Sequence, residues 1–501
     1  MQTSKRTTSR VAAKMAAAWI AASSLAACKV GPDFSAPKEP VPNHYAGAVD
    51  ERLSDADPDS TWWRQFNDAQ LEQLEAQAAA GNLDLKAAFL RIVEARTEVL
   101  QARAQGLPSL AASASFNREQ FGFAGILKSQ HVDTGPTAAP LEQGLVSSIE
   151  NPVNIYQLGF DASWELDLFG KVRRAVEAAD ANSLSAIEAR NDLLLSLEAE
   201  VAQEYFQLRA AQMLRKITSD LIDAQRGVFE LTLNRRQHGL AGEADVEAAR
   251  AQLSTLQSGL PPYQQNIAAA KHALAVLTGQ TPEAMDAQFG DNGELPALPR
   301  TVPIGLPASL ARRRPDIRES EAALHAATAE VGVSVASLFP DISLTGTYGL
   351  RNLGTGYLFD WDSRFYTFGS SVSVPIFHGG ALVANVRLSR AQAAEAALQY
   401  RKTVLGALQE IEDGLSSLRE DALRTSALQE SVAADQKALD IDVDAYRHGL
   451  VTYISVLTVQ IQTVQSQQQL AQAVLAQSTD MVKLFKALGG GWEKSAAAAM
   501  P

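Results

Sequence analysis

The stretch YQLGFDASWELDLFG, residues 156–170, decides how this chain is read. Tyr156, Leu158, Phe160, Ala162, Trp164, Leu166 and Leu168 alternate with Gln157, Gly159, Asp161, Ser163, Glu165 and Asp167. Successive side chains of an extended strand point to opposite faces, so a period of two predicts a strand with one apolar face and one polar, acidic face. The alternation stops at Gly170, and from Lys171 to Gln237 no proline interrupts the chain. At 1.5 Å per residue that run predicts one helix of about 100 Å, against a norm of about 11 or 12 residues.

Outward from this stretch the same order occurs twice. Upstream, Leu110, Ala112, Ala114 and Phe116 oppose Ala111, Ser113, Ser115 and Asn117. Further on, Ile342, Leu344 and Tyr348 oppose Ser343, Thr345 and Thr347, and Tyr366, Phe368, Val372, Val374 and Ile376 oppose Thr367, Gly369, Ser371 and Ser373. Pro375 weakens this last strand near its end. A second proline-free run follows, from Ala381 to His448. Gly239 and Gly449 each close a His-Gly-Leu turn, after which a shorter helix returns, from about Glu243 to Thr278 and from about Thr452 to Leu488. Helices at about 82–105 and 315–337 precede the strand pairs. A repeat of some 200 residues exceeds the roughly 20 to 50 of solenoids, and reads as an internal duplication.

The predicted organisation is a signal peptide over 1–27, an N-terminal tether over 28–60 and a first half over 61–279. That half holds strands at about 108–118 and 155–169 and a long hairpin over 171–279. A proline- and glycine-rich linker over 280–307 leads to a second half over 308–488, with strands at about 340–349 and 365–377 and a hairpin over 380–488. A flexible tail occupies 489–501. Trp62 and Trp63 precede the first helix and read as core.

The four strands fit two ordinary hairpins on a soluble core, or a membrane. Three features favour the membrane. Their length matches the 9 to 11 residues a tilted strand needs to span it. Tyr156, Trp164, Phe169, Tyr348, Tyr366 and Phe377 lie near strand ends, as interfacial girdles do. Four strands are too few for a closed barrel, which needs about eight, so several chains would have to build one together.

Composition narrows the function. A net charge of -13 argues against nucleic acid, whose phosphates attract basic surfaces. The one cysteine, Cys28, excludes an internal disulfide and a cysteine-cluster metal site. It follows a basic leader and a short apolar segment ending Leu25-Ala26-Ala27, which reads as a secretory signal. Leu-Ala-Ala-Cys resembles a bacterial lipobox, in which the cysteine is lipidated; Lys29 after it implies transport to the outer membrane. No catalytic constellation is present: the seven histidines form no His-Glu-x-x-His pair, and Gly170-Lys171 lacks the rest of a phosphate loop. His238 and His448 occupy matching turns and read as caps. Arg312, Arg313 and Arg314 lead into a helix start at Pro315 rather than a nucleic-acid patch.

WELDLFGKVRRA at 164–175, ARRRPDI at 311–317, Phe339-Pro340, the Arg-His-Gly-Leu turn at 447–450 and KALGGGW at 486–492 resemble the TolC-type outer membrane factors, specifically the NodT-like efflux lipoproteins. The resemblance covers essentially the whole mature chain. It implies a mainly α fold with a membrane β-barrel part: long antiparallel helical hairpins forming an α-barrel tunnel, and four strands per chain in a twelve-stranded barrel shared by a homotrimer. It further implies a passive exit duct working with a periplasmic adaptor (a membrane fusion protein) and an inner membrane pump of RND type, with no cofactor beyond the covalent lipid on Cys28, and contact with outer membrane lipid. Loops 119–154 and 350–364 would face outside the cell and the His-Gly-Leu turns the inner membrane.

The resemblance also implies a periplasmic gate of Glu243, Asp245, Tyr446, Val451, Ser455 and Thr458, around hairpin turns at Gly239 and Gly449. Asp245 and Tyr446 match positions that pair across the turns. Val451 sits where some members carry a salt-bridging Arg, and Ser455 and Thr458 sit where many carry pore-facing acids. Glu243 and Asp245 are then the acids expected at the mouth, where a ring of carboxylates would attract cations. Competing readings are a periplasmic adaptor, which would carry one hairpin and compact β-domains, and a coiled-coil surface protein, which leaves the amphipathic strands unexplained.

Overall fold

The computed structural model describes residues 29–37, 40–47, 53–54, 56–120, 152–290, 293–299 and 301–492. The leader with Cys28, most of the first interstrand loop and the tail from 493 lie outside the described residues. In chain order the elements are β1 (Leu53–Ser54), α1 (Ala69–Gly81), α2 (Leu83–Ala104), β2 (Ser109–Glu119), β3 (Val153–Leu166), α3 (Lys171–Gln237), α4 (Glu243–Ser258), α5 (Leu260–Leu277) and α6 (Ala284–Gln288). They continue with β4 (Val302–Pro303), α7 (Leu310–Arg313), α8 (Pro315–Ala336), β5 (Asp341–Asn352), β6 (Arg364–Ser373), α9 (Ala381–Arg447) and α10 (Tyr453–Ala487). The chain forms two compact units, one of Met1–Ser35, Arg96–Ala181 and His325–Ala394, the other of Ala36–Ala95, Asn182–Leu324 and Glu395–Pro501. Among the described residues no helix is long and apolar enough to cross a membrane.

In the first unit the four amphipathic strands make one antiparallel sheet in the order β2-β3-β5-β6. The two strand pairs are therefore joined: β3 pairs with β5 from Tyr156↔Asn352 to Leu166↔Ile342. The register keeps the faces separate. Ala112↔Phe160, Phe160↔Tyr348 and Tyr348↔Tyr366 run across one face, and Leu158 and Trp164 meet Leu350 and Leu344 on it. Both faces of the sheet are open in a single chain, so the apolar one is left bare, with Leu110 72% and Phe368 76% exposed. The other face is polar and cross-linked. Asp161 accepts hydrogen bonds from Ser113 Oγ (2.7 Å) and Thr347 Oγ1 (3.0 Å), and Arg351 donates to Gln157 Oε1 (2.7 Å). Among the described residues no further strand covers the outer edges of β2 and β6.

Below the sheet, the motif at 164–175 ties strand to helix. Asp167 Oδ2 accepts from the Arg173 backbone N–H (2.9 Å), stabilising the first turn of α3, and Phe169 stacks on Phe339 at 4.8 Å. Gly170, at φ +83, lets Lys29 pass: a Cβ there would lie 3.1 Å from the Lys29 Cα. Arg174, fully buried, holds Val30 O (3.1 Å), Gly31 O (3.2 Å), Asp33 (2.8 Å) and Glu177 (2.9 Å). The hydrogen bonds of Lys29, His325 and Arg174 hold the Glu177 carboxyl down at about 2, against the upward push of desolvation.

In the second unit the core is aromatic. Trp62 is wholly buried and stacks on Phe485 at 5.3 Å, Phe66 packs on Phe206, and Asp68 caps α1 through Gln70 N and Leu71 N while accepting from Tyr205 Oη (2.6 Å). Two of the motifs meet here. Arg314 binds both oxygens of Asp316, Glu410 (2.6 Å) and Ala487 O (3.0 Å), and Trp492 Nε1 donates to Arg313 O (2.8 Å).

Two regions differ from the expected pattern. The tether and linker are not wholly extended: β1 pairs in parallel with β4, Tyr45 is buried, and the linker carries α6. Such pairing satisfies backbone groups that would otherwise need water. The first returning helix is also broken, α4 ending at Ser258 and α5 starting at Leu260 with Pro261 and Pro262 in its first turn. Prolines lack the N–H that would continue α4, and fit a helix start. α10 has no proline and runs unbroken over 35 residues.

Candidate functional site

The two hairpin turns are built alike. At each, a glycine takes a left-handed conformation, Gly239 at φ +72 and Gly449 at φ +78. The following leucine N–H reaches back to the carbonyl five residues earlier, Leu240 to Arg235 (2.8 Å) and Leu450 to Ala445 (2.9 Å). These bonds satisfy the last carbonyls of α3 and α9, the Schellman closure that glycine permits. His238 Nδ1 lies 2.9 Å from Asn234 O and His448 Nδ1 2.9 Å from Asp444 O. Both rings thus cap their own helices.

Between the turns sits a small core of Val228, Ala249, Tyr446, Tyr453 and Val456, with Val451 and Leu457 packed against it. Its polar atoms cross from one hairpin to the other. Tyr446, 3% exposed, has its hydroxyl 3.1 Å from Thr232 Oγ1. Arg235 Nη1 donates to Tyr446 O (2.7 Å), and the guanidinium lies 4.8 Å from the Tyr446 ring centroid. Gln225 Nε2 donates to Tyr453 Oη (3.1 Å). Burial, and then the nearby Tyr446 and Asp245, push the Tyr453 phenol up, although the Gln225 bond lowers it. A buried polar network of this kind holds one arrangement, because each broken bond leaves a desolvated partner.

The predicted site residues divide. Tyr446 is central. Val451 flanks the core. Asp245 serves its own helix, its Oδ2 accepting from the Gly242 N–H (3.1 Å), and Tyr446 bonds Thr232 instead, so the expected Asp245 and Tyr446 pair is not made within this chain. Glu243 forms an ion pair with Arg236 at the surface. Ser455 Oγ donates to Asp442 Oδ2 (2.6 Å), and Thr458 bonds Ile454 O in its own helix. Glu243 and Asp245 are not the only carboxylates at this end: Asp442 and Asp444 stand beside the second turn.

The sequence pattern of the family "Outer membrane efflux protein" matches residues 74–280 and 306–490, one stretch for each hairpin. The chain belongs to that family. It is 31% identical over 473 residues to the antibiotic efflux pump outer membrane protein ArpC of Pseudomonas putida, covering 93% of each chain. To nodulation protein T of Rhizobium leguminosarum bv. viciae it is 30% identical over 472 residues, 93% of this chain and 92% of that protein. Among solved structures it is similar to the outer-membrane channel OprN, with a TM-score of 0.83 and 32% identity over 93% of this chain and 100% of that one. This efflux protein is accordingly an exit duct of the Gram-negative outer membrane, and the relatives are channel proteins. Among the described residues of the duct no cluster of three or more His, Cys, Asp or Glu could hold a metal ion.

The residues that sequence reasoning missed are Arg235, Thr232, Gln225 and Tyr453. Arg235, Thr232 and Tyr453 lie within two helical turns of a hairpin glycine and Gln225 about four turns from Gly239, and an i, i+3, i+4, i+7 count back from the first turn reaches Thr232 and Arg235.

Proposed function

We propose that three copies of the chain close one twelve-stranded barrel in the outer membrane, and that their long hairpins line a tunnel through the periplasm. An adaptor would dock on the tunnel and an inner membrane pump of RND type would feed it. In this reading conduction is downhill and the cargo is small molecules such as drugs or metal ions, selected by the pump. The internal likeness of the two halves reflects duplication of a strand-pair-and-hairpin unit. A lipid on Cys28 would anchor each copy.

The carrying observation is the four-stranded sheet, with a bare apolar face and two edges that no described strand covers. In lipid every backbone N–H and C=O must be paired, so an open sheet cannot stand there alone. Three copies place β6 of each beside β2 of the next, which removes all edges. Large exposed side chains along the helices, Leu398, Leu405, Leu423 and Ile461 among them, give further surface for neighbours to cover. The hairpin core around Tyr446, with Glu243, Asp245, Val451, Ser455 and Thr458 about it, serves as the gate at the periplasmic mouth. The purified protein should run as a trimer in mild detergent and give discrete single-channel currents in planar bilayers. A folded monomer without conductance would overturn the reading. Mass analysis of the mature N-terminus checks the lipid.

A further inference from the structure

The apolar face of the sheet carries only two charged residues, Arg118 and Arg364, by the register of the four strands. Arg118 is the last residue but one of β2, and Arg364 is the first of β6. Both therefore stand at the loop end of the sheet, one on each edge strand. The helix end of the same face, at Leu166, Ile342 and Val372, has no charge. On the polar face, by contrast, charged groups have partners within the chain: Glu165 and Asp341 face Lys171 of α3 (3.4 and 3.9 Å), and Asp161 and Arg351 bond polar side chains.

Both arginines are exposed, and Arg364 has one solvent-facing acid beside it. Arg118 is exposed and has no ion pair among the described residues. Arg364 stacks over the Trp361 ring at 4.5 Å and donates to Trp361 O (2.8 Å). Its nearest carboxylate oxygen, Asp362 Oδ1, is 4.0 Å away on a fully exposed side chain. Tyr366 and Tyr348 occupy the next position down on one side, and Phe116 on the other. Tyr and Trp at this level belong at a lipid headgroup boundary. A guanidinium on the lipid side of a barrel is costly at mid-membrane and tolerable near the boundary, where anions are available. The anions there are phosphates, which a planar guanidinium binds in bidentate fashion.

We infer that Arg118 and Arg364 form a docking site for the phosphate groups of an outer-leaflet glycolipid. The inference rests on the proposed barrel: with β6 of one copy beside β2 of the next, Arg364 and Arg118 of adjacent copies fall on one seam, and each trimer carries three such sites. The ligand is a doubly phosphorylated lipid with several acyl chains, lipid A by chemistry, its chains lying along Phe368 and Leu110 below.

The test uses the full-length protein purified in detergent and native mass spectrometry with three probes: bisphosphorylated lipid A, the same lipid with its phosphates removed, and inorganic phosphate. The expected result is retention of the phosphorylated lipid at least tenfold above the dephosphorylated one, and no retained inorganic phosphate. Arg118→Gln with Arg364→Gln should lower retention about tenfold, and the paired Arg→Lys variant should keep most of it. Equal retention of the two lipids, or an unchanged double Gln variant, overturns the site. If the double variant does not assemble, the wild-type comparison of the two lipids still decides. Mild electrophoresis of the same samples separates the two ideas: a trimer that ignores the phosphates sinks only the lipid site, whereas a chain that is never trimeric sinks the barrel.

Discussion

The turn after α3 and the turn after α9 share backbone and cap but not side-chain chemistry. Glycine, leucine and histidine do the same work at both, with φ values of +72 and +78. The first hairpin then contributes Arg235, Gln225 and Thr232, whereas the second contributes the two tyrosines they meet, Tyr446 and Tyr453. The lesson is that closing a hairpin and locking two hairpins together are separate tasks. The first is set by local backbone requirements and is the same twice. The second needs complementary partners, so the two copies of the motif have to differ.

That comparison can be broken at five residues. Tyr446→Ala should have the largest effect, because it removes a buried ring, its hydroxyl contact with Thr232 and the ring beneath the Arg235 guanidinium; large-to-small core changes of this kind cost about 3–5 kcal/mol. Resting conductance should rise several-fold and amide exchange at both turns should quicken; unchanged exchange at the first turn would show that the hairpins are not interlocked. Next come Gly239→Ala and Gly449→Ala, each costing about 1–2 kcal/mol for a left-handed alanine. Equal losses in local stability by hydrogen exchange support the shared closure, and a marked inequality breaks it. Asp245→Ala removes one bond to the Gly242 N–H and should cost about 0.5–2 kcal/mol, felt in exchange of α4 amides and little in conductance. Arg236→Ala should be the smallest change. Its ion pair with Glu243 is half exposed, so about 0–1 kcal/mol is expected, and that small loss should shrink in high salt; a large conductance change there would move the lock from Tyr446 to the surface.

The strands and long helices were legible because each is a repeating local pattern: period two up to Leu168, then 67 residues without proline. The union of β3 with β5 was not, since a strand's own alternation says which face is apolar and nothing about which strand lies beside it. Pro261 and Pro262 mark a break that the helical pattern on either side of them masks. The candidate lock shows the same divide. Tyr446 was found by resemblance, yet its partners depend on which residues two helices present to one another. Asp442 and Asp444 are hidden for a simpler reason: the resemblance points to acids at Ser455 and Thr458, and here the acids sit on the opposite helix of the same hairpin.

The uncovered edges of β2 and β6 also make assembly a matter of kinetics. A single chain leaving the inner membrane carries an apolar sheet face and two rows of unpaired backbone groups, and cannot shed either liability by folding further on its own. If three copies close the barrel as proposed, its lifetime in that state depends on how often it meets two others, so yield should rise steeply with local concentration and fall when synthesis outruns insertion. The same edges that would close the proposed ring are then the sites at which stray copies would stack into aggregates, and a periplasmic holding chaperone would act on them first.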